Sequence, residues 1–224
     1  RTGLTIDNWT IDRLCRVWLL LHVDEQDEKA YQTHIEHLFS GAEMNELVAL
    51  YSALPVLAYP EKWKMRCAEG IRSNISFVLE SIMCDNPYAA ENLDEPAWNQ
   101  LVLKAFFTEK PVHRIIGLDE RANPNLARIL SDYAHERWAA GRPVHPQLWR
   151  CVGAYLNEQI FPDIQRLASS GNNTDREAAA LACSKSNYLP AKELLARDPY
   201  LRSVLDNSAI TWEMLAEKAA MNPQ

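Results

Sequence analysis

Residues that could carry acid–base or anion-binding chemistry stand close together in the segment ILSDYAHERWAAGRP, residues 129–143. Asp132, His135, Glu136 and Arg137 all fall within it. Histidine and carboxylate side chains are the usual general acids and bases, and arginine binds carboxylates and phosphates through two parallel hydrogen bonds. The segment therefore predicts either an active-site helix or the polar side of a helix that packs against others.

Side-chain direction separates these residues. At about 100° per residue, the apolar side chains from Leu126 to Trp138 share one broad helix face. Arg128, Asp132 and His135 lie on the opposite side, and residues three or four apart on a helix are neighbours. We interpret these three as a solvated charge ladder, so His135 is predicted to be a surface residue.

Arg137 points into the middle of the apolar face. An unpaired charge is very costly to bury, so its guanidinium must pair with a carboxylate, bind the anion of a ligand or reach out of a groove. We expect an internal ion pair, with the guanidinium also facing a polar pocket. The candidate partners are Glu69, Glu95, Asp119 and Glu120.

Other polar residues intrude on apolar helix faces in the same way. Asn74 and Arg72 border a stripe that includes Ile71 and Val78, and Asn99 lies within a helix that is apolar almost all round. Buried amides must be hydrogen-bonded, so these residues either tie helices together or line a polar cavity. Gly70, close to the same stripe, predicts a close approach of two helices.

Sequence motifs of catalysis and metal binding are mostly absent. There is no G-x-G-x-x-G, Walker A, G-x-S-x-G or H-E-x-x-H pattern. His34 and His37 are three residues apart, but a zinc site needs at least three protein ligands. We therefore expect no metal and no cofactor, and we name no catalytic residue.

The elements that position these residues are predicted to be helices. Helix starts are indicated at Thr10, at Asp27, near Glu43, at Asp94 and at Asn123. The first helix is expected to turn Ile11, Leu14, Val17, Trp18 and Leu21 inward. A long helix is predicted from Pro60 to about Met83.

Short amphipathic helices fill the last third of the chain. Residues 176–199, REAAALACSKSNYLPAKELLARDP, resemble one unit of a HEAT-like solenoid, although no fixed period is established. The fold is predicted to be all-α, an irregular α-α superhelix or HEAT-like assembly. We expect a single domain over residues 1–224, with a core at residues 1–156 and a repeat-like part at residues 157–224.

Composition restricts the partners. The chain of 224 residues has a formal net charge of −7 and no basic cluster, so nucleic acid and anionic membranes are poor candidates. No apolar run approaches the roughly 18 residues of a membrane span. The five scattered cysteines indicate buried thiols in a reducing cytoplasm. Because the chain begins at Arg1 rather than Met, we expect natural residues before it.

Four segments carry a resemblance to a known family. ELVALYSALPVLAYPEKWKMRCAEGIRSNI, NPYAAENLDEPAWNQLVLKAFF, HRIIGLDERANPNLARILSDYAHERWAAGRPVHPQLWR and VGAYL occur in the order found in the EboA family. The resemblance covers roughly residues 9–156, with His145 a minor departure at an expected small N-cap position. The last third matches only as an Ala- and Leu-rich helical tail.

The resemblance implies a setting more than a reaction. EboA-like proteins are encoded with a prenyltransferase-like membrane protein, a dehydroquinate-synthase-like protein, a sugar-isomerase-like protein and a phosphodiesterase-like protein, in clusters associated with secondary metabolites. The matching segments also contain Asp119 and Arg121. The candidate polar pocket is therefore predicted to use Arg72, Asn74, Asn99, Asp119, Arg121 and Arg137.

Two functions stay open from the sequence. The first is a non-enzymatic helical scaffold or small-ligand carrier in the cytoplasm that serves a metabolite pathway. Its partners would be proteins of the same cluster or a small anionic metabolite. The alternative is an enzyme that uses His135 or His113 with a carboxylate as acid and base. The candidate carboxylates are Asp119, Asp132 and Glu136, and the candidate anion clamps are Arg121 and Arg137.

Overall fold

The computed structural model describes residues 4–221, which are helices joined by turns and contain no β-strand. The predicted all-α class is therefore confirmed. The chain divides into two compact units, Arg1–Gly117 and Leu118–Gln224. The single-domain organisation, the boundary after residue 156 and the HEAT-like repeat stay predictions.

Seven α-helices occupy the described part of the first unit. They are α1 Ile11–Leu20, α2 Glu28–Gly41, α3 Met44–Ala53, α4 Lys64–Arg72, α5 Ser76–Met83, α6 Tyr88–Asn92 and α7 Glu95–Phe107. Short 3₁₀ turns cover Pro60–Trp63 and Val112–Arg114. The large side chains of Trp63, Trp98 and Tyr88 are almost completely buried in the core of this unit.

Hydrogen bonds at the helix starts confirm the predicted N-caps. The side-chain oxygens of Thr10, Asp27, Asp94 and Asn123 each accept from the backbone N–H three residues later, at 3.2, 3.0, 2.9 and 2.8 Å. Such a bond satisfies one of the N–H groups that a helix start leaves without a partner. The sequence therefore locates these four starts to the residue.

The long helix predicted from Pro60 to Met83 is wrong. The segment begins with the 3₁₀ turn Pro60–Trp63, and a break at residues 73–75 separates α4 from α5. Ser73 has ψ 152°, and its hydroxyl accepts a hydrogen bond from the N–H of Ile75 at 3.0 Å. A local serine turn of this kind competes with the helix for the same backbone groups.

Helix α1 also departs from its prediction. Val17 and Leu20 are its buried residues, whereas Ile11 and Trp18 are 81% and 57% exposed. The helix packs against α3 through the side that holds Val17. Its widest apolar side therefore faces away from the described part of its own unit.

Gly70 confirms the predicted close approach of helices. A Cβ built on Gly70 would lie 2.4 Å from Ile82 Cδ1 and 2.7 Å from the ring of Tyr51. Helices α4, α5 and α3 therefore meet at a point where only hydrogen fits. The tolerance of this point for added volume is small because protein interiors are close-packed.

In the second unit, the described residues form seven further α-helices. They are α8 Pro124–Ala139, α9 Leu148–Val152, α10 Phe161–Ala168, α11 Asn173–Lys185, α12 Leu189–Arg197, α13 Pro199–Asp206 and α14 Trp212–Met221. A 3₁₀ turn, Gly153–Tyr155, follows α9 directly.

Helix α11 is the centre of the second unit. It contacts α9, α10, α12, α13 and α14, and its residues Ala178, Ala179, Ala180 and Ala182 are fully buried. A Cβ on Gly153 would lie 2.6 Å from the backbone oxygen of Ala182. Small side chains thus allow several helices to surround α11 at short distance.

Four of the five cysteines confirm the expectation of buried thiols. Burial raises the pKa of Cys67, Cys151 and Cys183 to about 12 and that of Cys84 to about 11. The expectation is wrong for Cys15, which lies exposed on α1.

None of the helices in residues 4–221 combines the length and apolar composition that crossing a bilayer requires.

Replacement of Gly70 tests the packing of the first unit. We expect Gly70→Val to lower the free energy of unfolding by about 1–3 kcal/mol, because the added carbons overlap Ile82 and Tyr51. Urea unfolding followed by circular dichroism measures the loss. Gly41→Ala is the matched control, since nothing lies within 4 Å of its Cβ position. Equal stability of the two variants would contradict the close approach.

Candidate functional site

A cleft of about 220 Å³ opens in the second unit beside the last turn of α8, the end of α10 and the start of α11. Its walls combine one aromatic ring, one guanidinium, one hydroxyl and one carboxyl group. The lining residues are Trp138, Arg166, Leu167, Ser170 and Asp175. Small-molecule sites combine apolar walls with a few converging polar groups, and this cleft is a smaller and more polar version of that arrangement.

Trp138 forms the aromatic wall and holds Arg166 in place. The guanidinium of Arg166 lies 4.1 Å from the centroid of the Trp138 ring. Trp138 in turn stacks on the fully buried Trp149, with the ring centroids 5.8 Å apart. Within this unit and among the described residues, no carboxylate pairs with Arg166, so its hydrogen-bond donors stay available to an anion.

Ser170 and Asp175 form the polar end of the cleft. The Ser170 hydroxyl donates a hydrogen bond to Asp175 Oδ2 at 2.7 Å. Burial raises the pKa of Asp175 above its ordinary value of 3.8, and the bond from Ser170 opposes this only in part. A carboxyl group that is poorly hydrated in the protein gains from a ligand donor such as a hydroxyl group.

A buried carboxylate links α10 to α8 next to the cleft. Asp163 is 4% exposed, accepts from the Ser131 hydroxyl at 2.6 Å and lies 2.6 Å from His135 Nε2. His135 is mostly exposed, as predicted, but its partner is Asp163 rather than the ladder. The ladder residues Arg128 and Asp132 bind each other at 3.1 Å.

The first unit holds three residues of the predicted polar pocket. Arg72 and Asn74 are exposed rather than buried against their stripe, because the chain leaves the helix at Ser73. Asn74 accepts a hydrogen bond from Lys104 Nζ at 3.1 Å. Asn99 is buried on α7, as predicted. Their role in ligand binding stays a prediction.

The second unit holds the other three residues of that pocket. Asp119 is exposed and binds Arg150, with Oδ1 2.7 Å from Nε and Oδ2 2.6 Å from Nη2. Arg121 is half-buried in the turn before α8. None of the three lines the cleft defined by Trp138 and Arg166.

The internal ion pair predicted for Arg137 is wrong. Its Nε donates to the carbonyl oxygen of Pro143 at 2.9 Å, and no carboxylate pairs with it within the described part of this unit. The cause is the helix end. Gly141, at φ +67°, turns the chain back after α8, so the backbone rather than a side chain reaches the half-buried guanidinium.

Arg13, in the first unit, has no carboxylate partner among residues 4–117. It lies 4.2 Å from the Trp9 ring centroid, and its Nε is buried without a hydrogen-bond partner. Burial, followed by the charge of Arg114, lowers the pKa of Arg13 to about 10. Arg13 is therefore a second guanidinium that could bind an anion, in the first unit.

In residues 4–221, no three His, Cys, Asp or Glu side chains lie close enough together to hold a metal ion. His34 and His37 are both exposed on α2. The arrangement at the cleft is instead suited to binding an organic anion, and His135 with Asp163 provides an acid–base pair at its border.

Comparison with known proteins identifies the family. The family model described as "Metabolite traffic protein EboA" matches residues 1–153 of the 224. The chain belongs to the EboA family. The resemblance seen in the sequence is thereby confirmed. Searches of curated proteins and of solved structures found no match to it.

The EboA-family segment supplies one wall of the cleft. Trp138 lies inside the matched residues 1–153, whereas Arg166, Ser170 and Asp175 lie beyond them. Of the pair that joins α8 to α10, His135 lies inside the matched residues and Asp163 lies beyond them. The candidate site is therefore completed by the helices that follow the matched segment.

Sequence reasoning missed Asp163 and Arg166, although one signal was present. Asp163 stands four residues before Leu167 and next to Ile164, inside the apolar side of α10. The reasoning applied to Arg137 would have identified it as a buried charge that needs a partner. Arg166 gives no such signal, because it lies on the exposed side of its helix.

Removal of the buried carboxylate tests the link between α8 and α10. We expect Asp163→Ala to lower the free energy of unfolding by about 2 kcal/mol, because it leaves Ser131 and His135 without their acceptor. Asp132→Ala is the matched control on α8 and should cost about 0.5 kcal/mol, since its ion pair is exposed. Chemical denaturation of both variants measures the difference, and equal losses would contradict the link.

The raised pKa of Asp175 gives a pH-dependent test. The folded state holds the proton more tightly than the unfolded chain, so the contribution of this group to stability is lost as pH rises through the folded-state pKa. We expect Asp175→Asn to be more stable than the wild type at about pH 7, with the advantage disappearing at about pH 3. Denaturant unfolding at both pH values measures the gap. An advantage that is equal at both would contradict the desolvation of Asp175.

Proposed function

We propose that this EboA-family chain is a non-enzymatic helical protein that binds a small anionic metabolite in the cleft of its second unit. The observation that carries the proposal is Arg166, which is fixed by stacking on Trp138 and has no carboxylate partner in the described part of that unit. A guanidinium in this state can form two parallel hydrogen bonds with a carboxylate or phosphate.

The remaining walls restrict the metabolite further. Ser170 and Asp175 favour a hydroxyl or amine group at the end of the ligand away from its anion. The Trp138 ring favours a flat or apolar middle part. A volume of about 220 Å³ is below the usual range of roughly 300–1,000 Å³ for ligand pockets, so the ligand is small.

The family description supports a role in moving or holding the metabolite rather than converting it. The matched family is described as a metabolite traffic protein. The proposed role is a carrier or scaffold in the cytoplasm that serves the making or export of a secondary metabolite. Proteins encoded in the same cluster are the proposed partners, and the net charge of −7 makes nucleic acid a poor ligand.

An enzyme is the second candidate, and one observation favours it. Asp163 fixes Nε2 of His135 at 2.6 Å, which leaves Nδ1 as the second ring nitrogen for acid–base work at the border of the cleft. Asp163 thus takes the place of Asp119, Asp132 and Glu136, the carboxylates that the sequence suggested as partners of His135. The reaction would be a proton transfer on the metabolite held by Arg166.

Native mass spectrometry of the chain recovered from its natural host tests the proposal. We expect the wild type to carry a small molecule and Arg166→Gln to lose it. Phosphate and benzoate serve as anion probes, and their affinity is measured from the thermal shift that they cause. We expect Arg166→Gln to bind both probes at least about tenfold more weakly, because a charged hydrogen-bonding pair is removed. Arg128→Gln is the matched control, an exposed arginine of this unit that does not line the cleft.

Three outcomes separate the alternatives. A molecule that Arg166→Gln retains and Arg13→Gln loses would locate binding in the first unit and contradict the cleft. A molecule that exchanges carbon-bound hydrogen for deuterium in D₂O with the wild type, but not with His135→Gln, would favour the enzyme. The absence of both a bound molecule and a thermal shift with either probe would contradict metabolite binding.

A further inference from the structure

Helix α1 presents an apolar face to solvent that the described residues of its own unit do not cover. We define this α1 apolar face as Ile11, Leu14, Cys15, Trp18, Leu19 and Leu21. The five large apolar side chains are 81%, 42%, 57%, 61% and 53% exposed, in chain order. At about 100° per residue, these six residues span about 160° of the helix circumference, and the buried Val17 and Leu20 lie outside that arc.

The size of this face is large enough for the interface of a dimer. With full areas of about 200 Å² for a large aliphatic residue and about 250 Å² for tryptophan, these exposed fractions amount to roughly 600 Å². That is the upper end of the largest apolar patch on a typical monomer, about 300–600 Å². Two such faces together reach the lower end of a specific interface, about 1,200 Å² in total.

The charges around the face are compatible with a second copy. Asp12 and Arg16 lie outside the face and bind each other at 3.0 Å, and Arg16 also binds Glu46 at 3.1 Å. Arg13 is held over Trp9. The charged residues of α1 therefore lie outside the α1 apolar face, and two such faces can meet without a charge between them.

The geometry of one helix face points to an antiparallel pair. A two-fold axis makes the same patch meet itself, so residue i contacts residue j and j contacts i. With the axis near the middle of α1, Leu14 packs against Trp18 of the second copy and Ile11 packs near its Leu21. Antiparallel helices also bring opposite ends of their dipoles together.

We infer that the α1 apolar face is a self-association surface, on which two copies of this chain form a dimer through antiparallel α1 helices. The surface lies in the first unit and shares no residue with the metabolite cleft. An anionic lipid surface fits it less well, because the neighbouring segments carry the acidic residues Asp7, Asp24 and Glu25.

Analytical ultracentrifugation over a dilution series tests the dimer. We expect the wild type to reach twice the mass of one chain, and Trp18→Lys to weaken association at least about tenfold, since each copy loses a central aromatic anchor and places a charge against the apolar Leu14 of the other copy. Met65→Lys is the matched control, because Met65 is 77% exposed on α4 of the same unit. Circular dichroism melts check that both variants stay folded.

Cysteine chemistry provides a second and independent measurement. Cys15 lies on the face, and the other four cysteines are buried. A bismaleimide with a span of about 8 Å, close to the distance between two packed helices, should join two chains through Cys15. Cys15→Ser should abolish the product and Trp18→Lys should reduce it.

Three results would overturn the inference. The first is a wild type that stays monomeric throughout the dilution series. The second is a dimer that Trp18→Lys leaves unchanged. The third is a monomer that sediments with vesicles of anionic phospholipid, which would assign the face to a lipid surface.

Discussion

A buried carboxylate must have partners, and this constraint at Asp163 determines how the second unit is arranged around its cleft. Ser131 and His135 of α8 both lie 2.6 Å from the Asp163 oxygens. One turn further along each helix stand Trp138 and Arg166, whose stacking follows from that attachment. On each helix, the residues that join α8 to α10 therefore precede the residue that lines the cleft.

Helix α11 forms another wall of the cleft. Its buried alanines let α10 and the neighbouring helices approach closely, and its first turn places Asp175 at the cleft. The approach also removes water from Asp175, which raises its pKa. A group that lowers the stability of the empty protein is commonly retained where function needs it. The burial of Asp175 is therefore consistent with the proposed contact to a ligand.

Helix class and helix starts could be predicted from the sequence because they depend on local patterns. Thr10, Asp27 and Asn123 are caps that act within three residues. Tertiary partners could not be predicted in this way. His135 binds a residue 28 positions away, Arg137 binds a backbone carbonyl that a glycine turn brings to it, and the apolar face of α1 is not covered. Periodicity shows which side of a helix is apolar, but not what lies against it.

The exposure of His135 bears on whether the cleft binds or converts its ligand. Its side chain is 56% exposed, although its carboxylate partner is 6% exposed. A general base gains most when closure of the site removes water and strengthens the electrostatic interactions inside it. An imidazole that stays in contact with bulk water lacks that advantage, whereas Arg166 needs only its stacked position to bind an anion. On this ground we propose that Asp163 and His135 act first as a structural link, which agrees with the proposed role of holding a metabolite rather than converting it.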